Sequence, residues 1–104
     1  MTINDLWQIV LDRSDAAIAA DKYLDGEEFY DTHRATVIAL NDALAPVSAE
    51  EIDKLRLLLV ARGAPRENGT QVAELRRAGF FSLVSMNSAR GLRPLEVPPP
   101  RRVG

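Results

Sequence analysis

The chain has 104 residues, 46% of them hydrophobic and 27% charged, with a formal net charge of −2. That is one domain's worth of an ordinary globular balance, which argues against wholesale disorder. Cysteine is absent and His33 is the single histidine, so a disulfide framework, a thiolate zinc site, a cysteine nucleophile and a multi-histidine metal site within one chain are excluded, and no metal or other cofactor is expected.

Aromatic residues make up only 6% of the chain, whereas Ala and Leu number 14 and 13. Both are strong helix formers, and no long alternating apolar pattern is present, so an all-α fold is expected. Asn4 and Asp5 offer an N-cap for a first helix over about 5–24. At 100° per residue, Leu6, Trp7, Val10, Leu11, Ala17, Ile18 and Leu24 share one face and Asp5, Asp12, Asp15 and Ala19 the other, with a bend expected near Ser14. Asp25-Gly26 breaks this helix. A second helix is predicted from Glu27 to Leu44, with Asp25, Glu27 and Glu28 at its dipole-positive start. Its apolar stripe is Phe29, His33, Thr36, Val37, Leu40 and Leu44, and Pro46 ends it.

Ser48-Ala49-Glu50-Glu51 reads as a capping box opening a third helix. Ile52, Leu55, Leu58 and Leu59 follow at helical spacing, and residues 57–61 are apolar nearly all round, which predicts the central, most buried helix. Gly63 is the expected C′ residue, with Arg62 at the negative end of the dipole. Thr70 is the N-cap of a short fourth helix over 71–78, closed by Gly79, and residues 80–90 lean towards a fifth. After Gly91, Pro94, Pro98, Pro99, Pro100, Arg101 and Arg102 read as an extended tail. The expected architecture is a small bundle of three longer and one or two short helices in a single domain, 1–92, with an extended Pro/Arg tail over 93–104. No apolar run approaches the ~18 residues of a membrane span, and the acidic start Met1-Thr2-Ile3-Asn4-Asp5 has no basic n-region. A cytoplasmic protein is therefore expected.

Charge is segregated along the chain. Residues 1–53 carry 12 acids and 3 bases, residues 54–104 carry 3 acids and 10 bases. An acidic half suits docking on a basic protein surface, a basic half suits phosphates, and head-to-tail self-association into a homo-oligomer uses both. Asp12, Asp15, Asp31 and Asp42 lie off the apolar stripes and are the candidate partner-binding residues.

Three further patterns carry chemistry. His33 has acids nearby, but Tyr30 stands where a di-iron bundle needs a glutamate, and no second histidine or cysteine completes a triad. Thr70-Gln71-Val72-Ala73-Glu74-Leu75-Arg76-Arg77-Ala78-Gly79-Phe80 resembles the first helix and turn of a helix-turn-helix, departing from it at Leu75, where a small residue is usual. The resemblance implies a second helix over about 82–90, presenting Ser85, Asn87, Ser88 and Arg90 to base edges, with Arg76, Arg77 and Arg93 as further basic contacts. Pro98-Pro99-Pro100-Arg101-Arg102 suits an aromatic-lined groove. By subtraction of catalytic residue types, the expected function is non-enzymatic binding of another protein, as a small adaptor, inhibitor or immunity-type protein. A DNA-binding regulator using 70–90 is the alternative, and an enzyme built on His33 ranks third.

Overall fold

The structure, a computed structural model, describes residues 1–20, 26–66, 70–85 and 99. Among them are four helices and no strand: α1 (Ile3–Ala20), α2 (Gly26–Leu44), α3 (Ala49–Arg62) and α4 (Gln71–Val84). The all-α bundle read from the sequence is the observed fold.

Helix α1 starts earlier than the Asn4-Asp5 cap would place it. Thr2 is the cap: the Asp5 N–H donates to its hydroxyl at 3.2 Å, and the Thr2 N–H donates back to Asp5 Oδ2 at 2.8 Å. This reciprocal box satisfies donors that the first turn leaves without helical partners. The Thr2 N–H, and after it the Thr2 hydroxyl, hold the Asp5 carboxyl below its ordinary pKa. The helix runs unbroken through Ser14, which is buried and donates to the Val10 carbonyl at 2.8 Å. Leu24 lies outside the described residues.

Helix α2 ends where Pro46 requires, and the Val47 N–H closes a turn onto the Leu44 carbonyl. Its stripe turns inward as the spacing predicts: Thr36, Val37, Leu40 and Leu44 are buried, Phe29 and His33 partly so. Ser48 caps α3 by accepting from the Glu51 N–H at 3.2 Å, and Gly63 ends it at φ 82°, a conformation that side chains rarely adopt. Thr70 caps α4 by accepting from the Ala73 N–H at 3.1 Å.

Two expectations are corrected. Gly79 does not close the fourth helix: α4 continues through it to Val84, with Ser85 as the C-cap. Residues 80–84 are thus part of α4 rather than of a fifth helix, and 86–90 lie outside the described residues. Gly79 is buried against α1, where a Cβ would stand 2.7 Å from Val10 Cγ1 and 3.0 Å from Cγ2. Glycine is needed here for close approach, not for a turn.

Nor is α3 the central helix. Helices α1, α2 and α4 pack on one another, while α3 leans mainly on α4 and more lightly on α1. Only Ile52, Leu55 and Leu59 of α3 are buried, while Leu57, Leu58 and Val60 are 60%, 55% and 56% exposed. Five successive helical residues sweep past a full turn, so burying all of them needs cover on every side, and one flanking contact does not give it. Instead α1 and α4 each touch all three other helices, most evenly α4. Its buried positions Ala73, Leu75, Gly79, Phe80 and Leu83 span nearly half its circumference at 100° per residue. Phe80 and Leu83 join Leu6, Val10, Val37, Leu40, Leu44, Ile52, Leu55 and Leu59 in one apolar cluster.

The tail lies outside the described residues except for Pro99, whose carbonyl accepts from the Tyr30 hydroxyl.

Two stability predictions follow from the packing. Leu59→Ala opens a cavity at a fully buried site and is expected to cost about 2–5 kcal/mol. Leu57→Ala on the outer face should cost under about 0.5 kcal/mol in the same urea melts. Gly79→Ala gains helix propensity of about 1 kcal/mol but drives a methyl into Val10, a stiff β-branched side chain fully buried in the core. The net expectation is a loss of about 1–3 kcal/mol, and a double-mutant cycle should show that loss vanishing in a Val10→Ala background.

Candidate functional site

The acidic surface forms from the two N-terminal helices. Asp12 and Asp15 on α1, and Asp31 and Asp42 on α2, are all exposed. Asp12 accepts from Gln8 Nε2 at 2.7 Å, one turn away. Across α1 and α2 seven acids (Asp5, Asp12, Asp15, Glu27, Glu28, Asp31 and Asp42) stand against Arg13 and Arg34. Helices α3 and α4 are nearly balanced, with Glu50, Glu51, Asp53 and Glu74 against Lys54, Arg56, Arg62, Arg76 and Arg77. Because α1 and α2 pack on each other, the two acid-rich helices are neighbours in space.

The four aspartates are not equivalent. Asp15 Oδ1 receives Arg76 Nη2 of α4 at 2.7 Å, where the Arg76 side chain is 22% exposed and that of Asp15 63%. The pair ties α1 to α4 and withdraws Asp15 from a purely external role, although so exposed a bridge contributes at most about 1 kcal/mol.

The same pair bears on the nucleic-acid candidates. Arg76 is folded back onto a carboxylate, and Arg77 is half-buried on the same helix. With α4 continuous through Gly79, the turn of the helix-turn-helix resemblance is not there. Asn87, Ser88, Arg90 and Arg93 lie outside the described residues.

Two features escaped the sequence reading. One is the exposed ridge of Leu57, Leu58 and Val60, extended by exposed Ala61. Its signal was present as the run 57–61, which is longer than one face can hide. The other is a cleft of about 290 Å³ where α1, α4 and the end of α3 meet. Trp7 and Leu11 come from α1, Leu59 and Arg62 from α3, Gly63, Ala64 and Pro65 from the connector, and Arg76 and Phe80 from α4. The Arg62 guanidinium lies 5.7 Å from the centroid of the Trp7 ring, within reach of a cation–π contact.

His33 sits half-buried on α2, and its buried Nδ1 has no hydrogen-bond partner among the described residues. Burial pushes its pKa below the ordinary imidazole value. Among the described residues no three His, Cys, Asp or Glu side chains gather into a metal-binding group, and no helix is long and apolar enough to cross a membrane. No protein-family model, curated protein or solved structure matches the chain.

The His33 environment makes stability depend on pH. The unfolded chain binds a proton more readily than the folded one, so stability is full above the ordinary imidazole pKa of about 6.5 and falls as pH drops through that value towards the lower folded pKa. Chemical melts between about pH 7.5 and 5.5 should show this loss in the native protein, and His33→Gln should flatten the slope across the window while keeping the fold.

Proposed function

We propose that this chain is a non-enzymatic protein-binding module of the adaptor, inhibitor or immunity type. The observation that carries the proposal is the ridge on α3: Leu57, Leu58 and Val60 stay more than half exposed on a helix whose opposite face supplies Ile52, Leu55 and Leu59 to the core. Contiguous exposed apolar side chains are a feature of protein-interaction surfaces. Duplex DNA, whose binding is dominated by phosphate contacts, gains little from such a ridge. The acidic layer of α1 and α2 gives the partner's sign. A basic protein surface would be drawn towards Asp12, Asp31 and Asp42 and held by apolar contact along α3, since charge complementarity acts chiefly on association rate and specificity. Arg76 supports the same reading, because its charge is turned inward to Asp15.

The test compares three proteins in capture from host extract, each also run against duplex DNA in a gel shift. The native chain should recover a partner in a salt-sensitive manner, because exposed charges are screened beyond about 8–10 Å at physiological ionic strength. Leu57→Ser with Leu58→Ser should lose the partner while keeping helical content, with each anchor residue worth more than about 1 kcal/mol of binding. Asp12→Lys with Asp31→Lys and Asp42→Lys should slow association, and Asp15 is left intact because it holds Arg76. A duplex shift abolished by Arg76→Ala with Arg77→Ala, and no protein recovered by the native chain, would overturn the proposal in favour of DNA binding.

A further inference from the structure

We infer that the cleft between α1, α4 and the end of α3 is a binding site for a small apolar monocarboxylate, separate from the protein-binding surface. Its floor is apolar and aromatic: Trp7 and Leu11 face Leu59 and Phe80, of which Leu59 is fully buried and Phe80 nearly so. Small-molecule sites share this build, a concave apolar surface with a few polar groups at the edge that fix orientation. A volume of about 290 Å³ suits a single ring or a short alkyl chain rather than a nucleotide.

The edge sets the sign of the ligand. Among the described residues, the charged side chains lining the cleft are Arg62 and Arg76, with no acid beside them. Arg76 is already bonded to Asp15. Arg62 has no carboxylate partner among the described residues, and its guanidinium lies 5.7 Å from the centroid of the Trp7 ring. A guanidinium held over an aromatic floor presents its planar fork to a carboxylate, and two parallel N–H donors bind the two carboxylate oxygens. An anion with an apolar body satisfies both parts of the cleft. A neutral ligand leaves Arg62 unused, and a dianion brings more charge than this single arginine can match.

Trp7 is the only tryptophan of the chain, so its emission reports directly on the cleft. Titration with phenylacetate, with its neutral amide phenylacetamide as the control, should give a saturable change in Trp7 emission with the acid, weakened by about tenfold or more with the amide. Arg62→Gln, at an exposed position, should keep the helical content and lose the preference for acid over amide. Ala64→Leu, which fills the cleft, should reduce the response to both. A tetrapeptide ending in phenylalanine tests the other source of such a carboxylate, a protein chain end. The inference is overturned if phenylacetate gives no saturable response, if acid and amide bind alike to the native protein, if Arg62→Gln binds the acid as tightly as the native chain, or if the peptide binds about tenfold more tightly than phenylacetate. Because Leu57, Leu58 and the aspartates are untouched, failure here leaves the protein-binding proposal standing, and the reverse holds too.

Discussion

The structure depends on how closely α4 approaches α1. At Gly79 a methyl group would fall within 2.7 Å of Val10 Cγ1, so the helix axes stand at a separation that only a residue without a side chain allows. From that crossing the rest follows. It places Phe80 and Leu83 in the cluster that holds Leu6 and Leu40. It carries Arg76, one turn before Gly79, to Asp15 across 61 residues of sequence. It also brings Phe80 and Arg76 opposite Trp7 and Leu11, so the cleft is built by the same crossing that builds the core.

Once α1, α2 and α4 have closed on each other, α3 is left with one flank to occupy. Ile52, Leu55 and Leu59 fill it, and Leu57, Leu58 and Val60 are left outside. Fully burying a leucine or valine side chain is worth about 1.5–3 kcal/mol relative to exposing it, so this arrangement forgoes stabilisation that a fourth packed flank would have supplied. Surface leucines scattered singly need no explanation, but three within four positions form a patch. The same helix ends at Gly63, whose positive φ turns the chain so that Ala64 and Pro65 become a wall of the cleft. A single helix therefore contributes to both candidate surfaces, one on its outer side and one at its C-terminal end.

What the sequence made legible was local. Ser48, Gly63 and Thr70 act within a few residues of themselves, Pro46 restricts its immediate neighbour, and each lies where the spacing places it. The Thr2–Asp5 box is equally local, but Asn4 and Asp5 are themselves good caps and give a competing signal for the helix start. Gly79 was misread because the same residue serves a helix end and a close helix crossing, and only the partner helix distinguishes them. Two phenylalanines following it, with no Ser, Thr, Asp or Asn to cap a new helix between, were the available hint that α4 continues. Helix α3 was misplaced because periodicity shows how apolar a segment is and not how many neighbours remain to cover it. The exposure of the four aspartates could be read from their place off the stripes. The bond from Asp15 to Arg76 and the cleft could not, because their parts lie far apart in sequence.

The charge pattern gains a direction from the fold. In sequence, the acidic and basic halves look like opposite handles of similar strength. In space they differ: α1 and α2 carry seven acids against two bases, whereas α3 and α4 carry four acids against five bases, with Arg76 bonded to Asp15 of α1 and Arg56 and Lys54 lying against Asp53 and Glu50 on their own helix. Pairs of that kind contribute little stability at such exposure, but they cancel charge locally. Among the described helices, the excess of acids over bases therefore lies on α1 and α2. On the proposed reading, that layer would disfavour a phosphate backbone and favour a basic protein surface, and contact area on the α3 ridge would set how long such a partner stays.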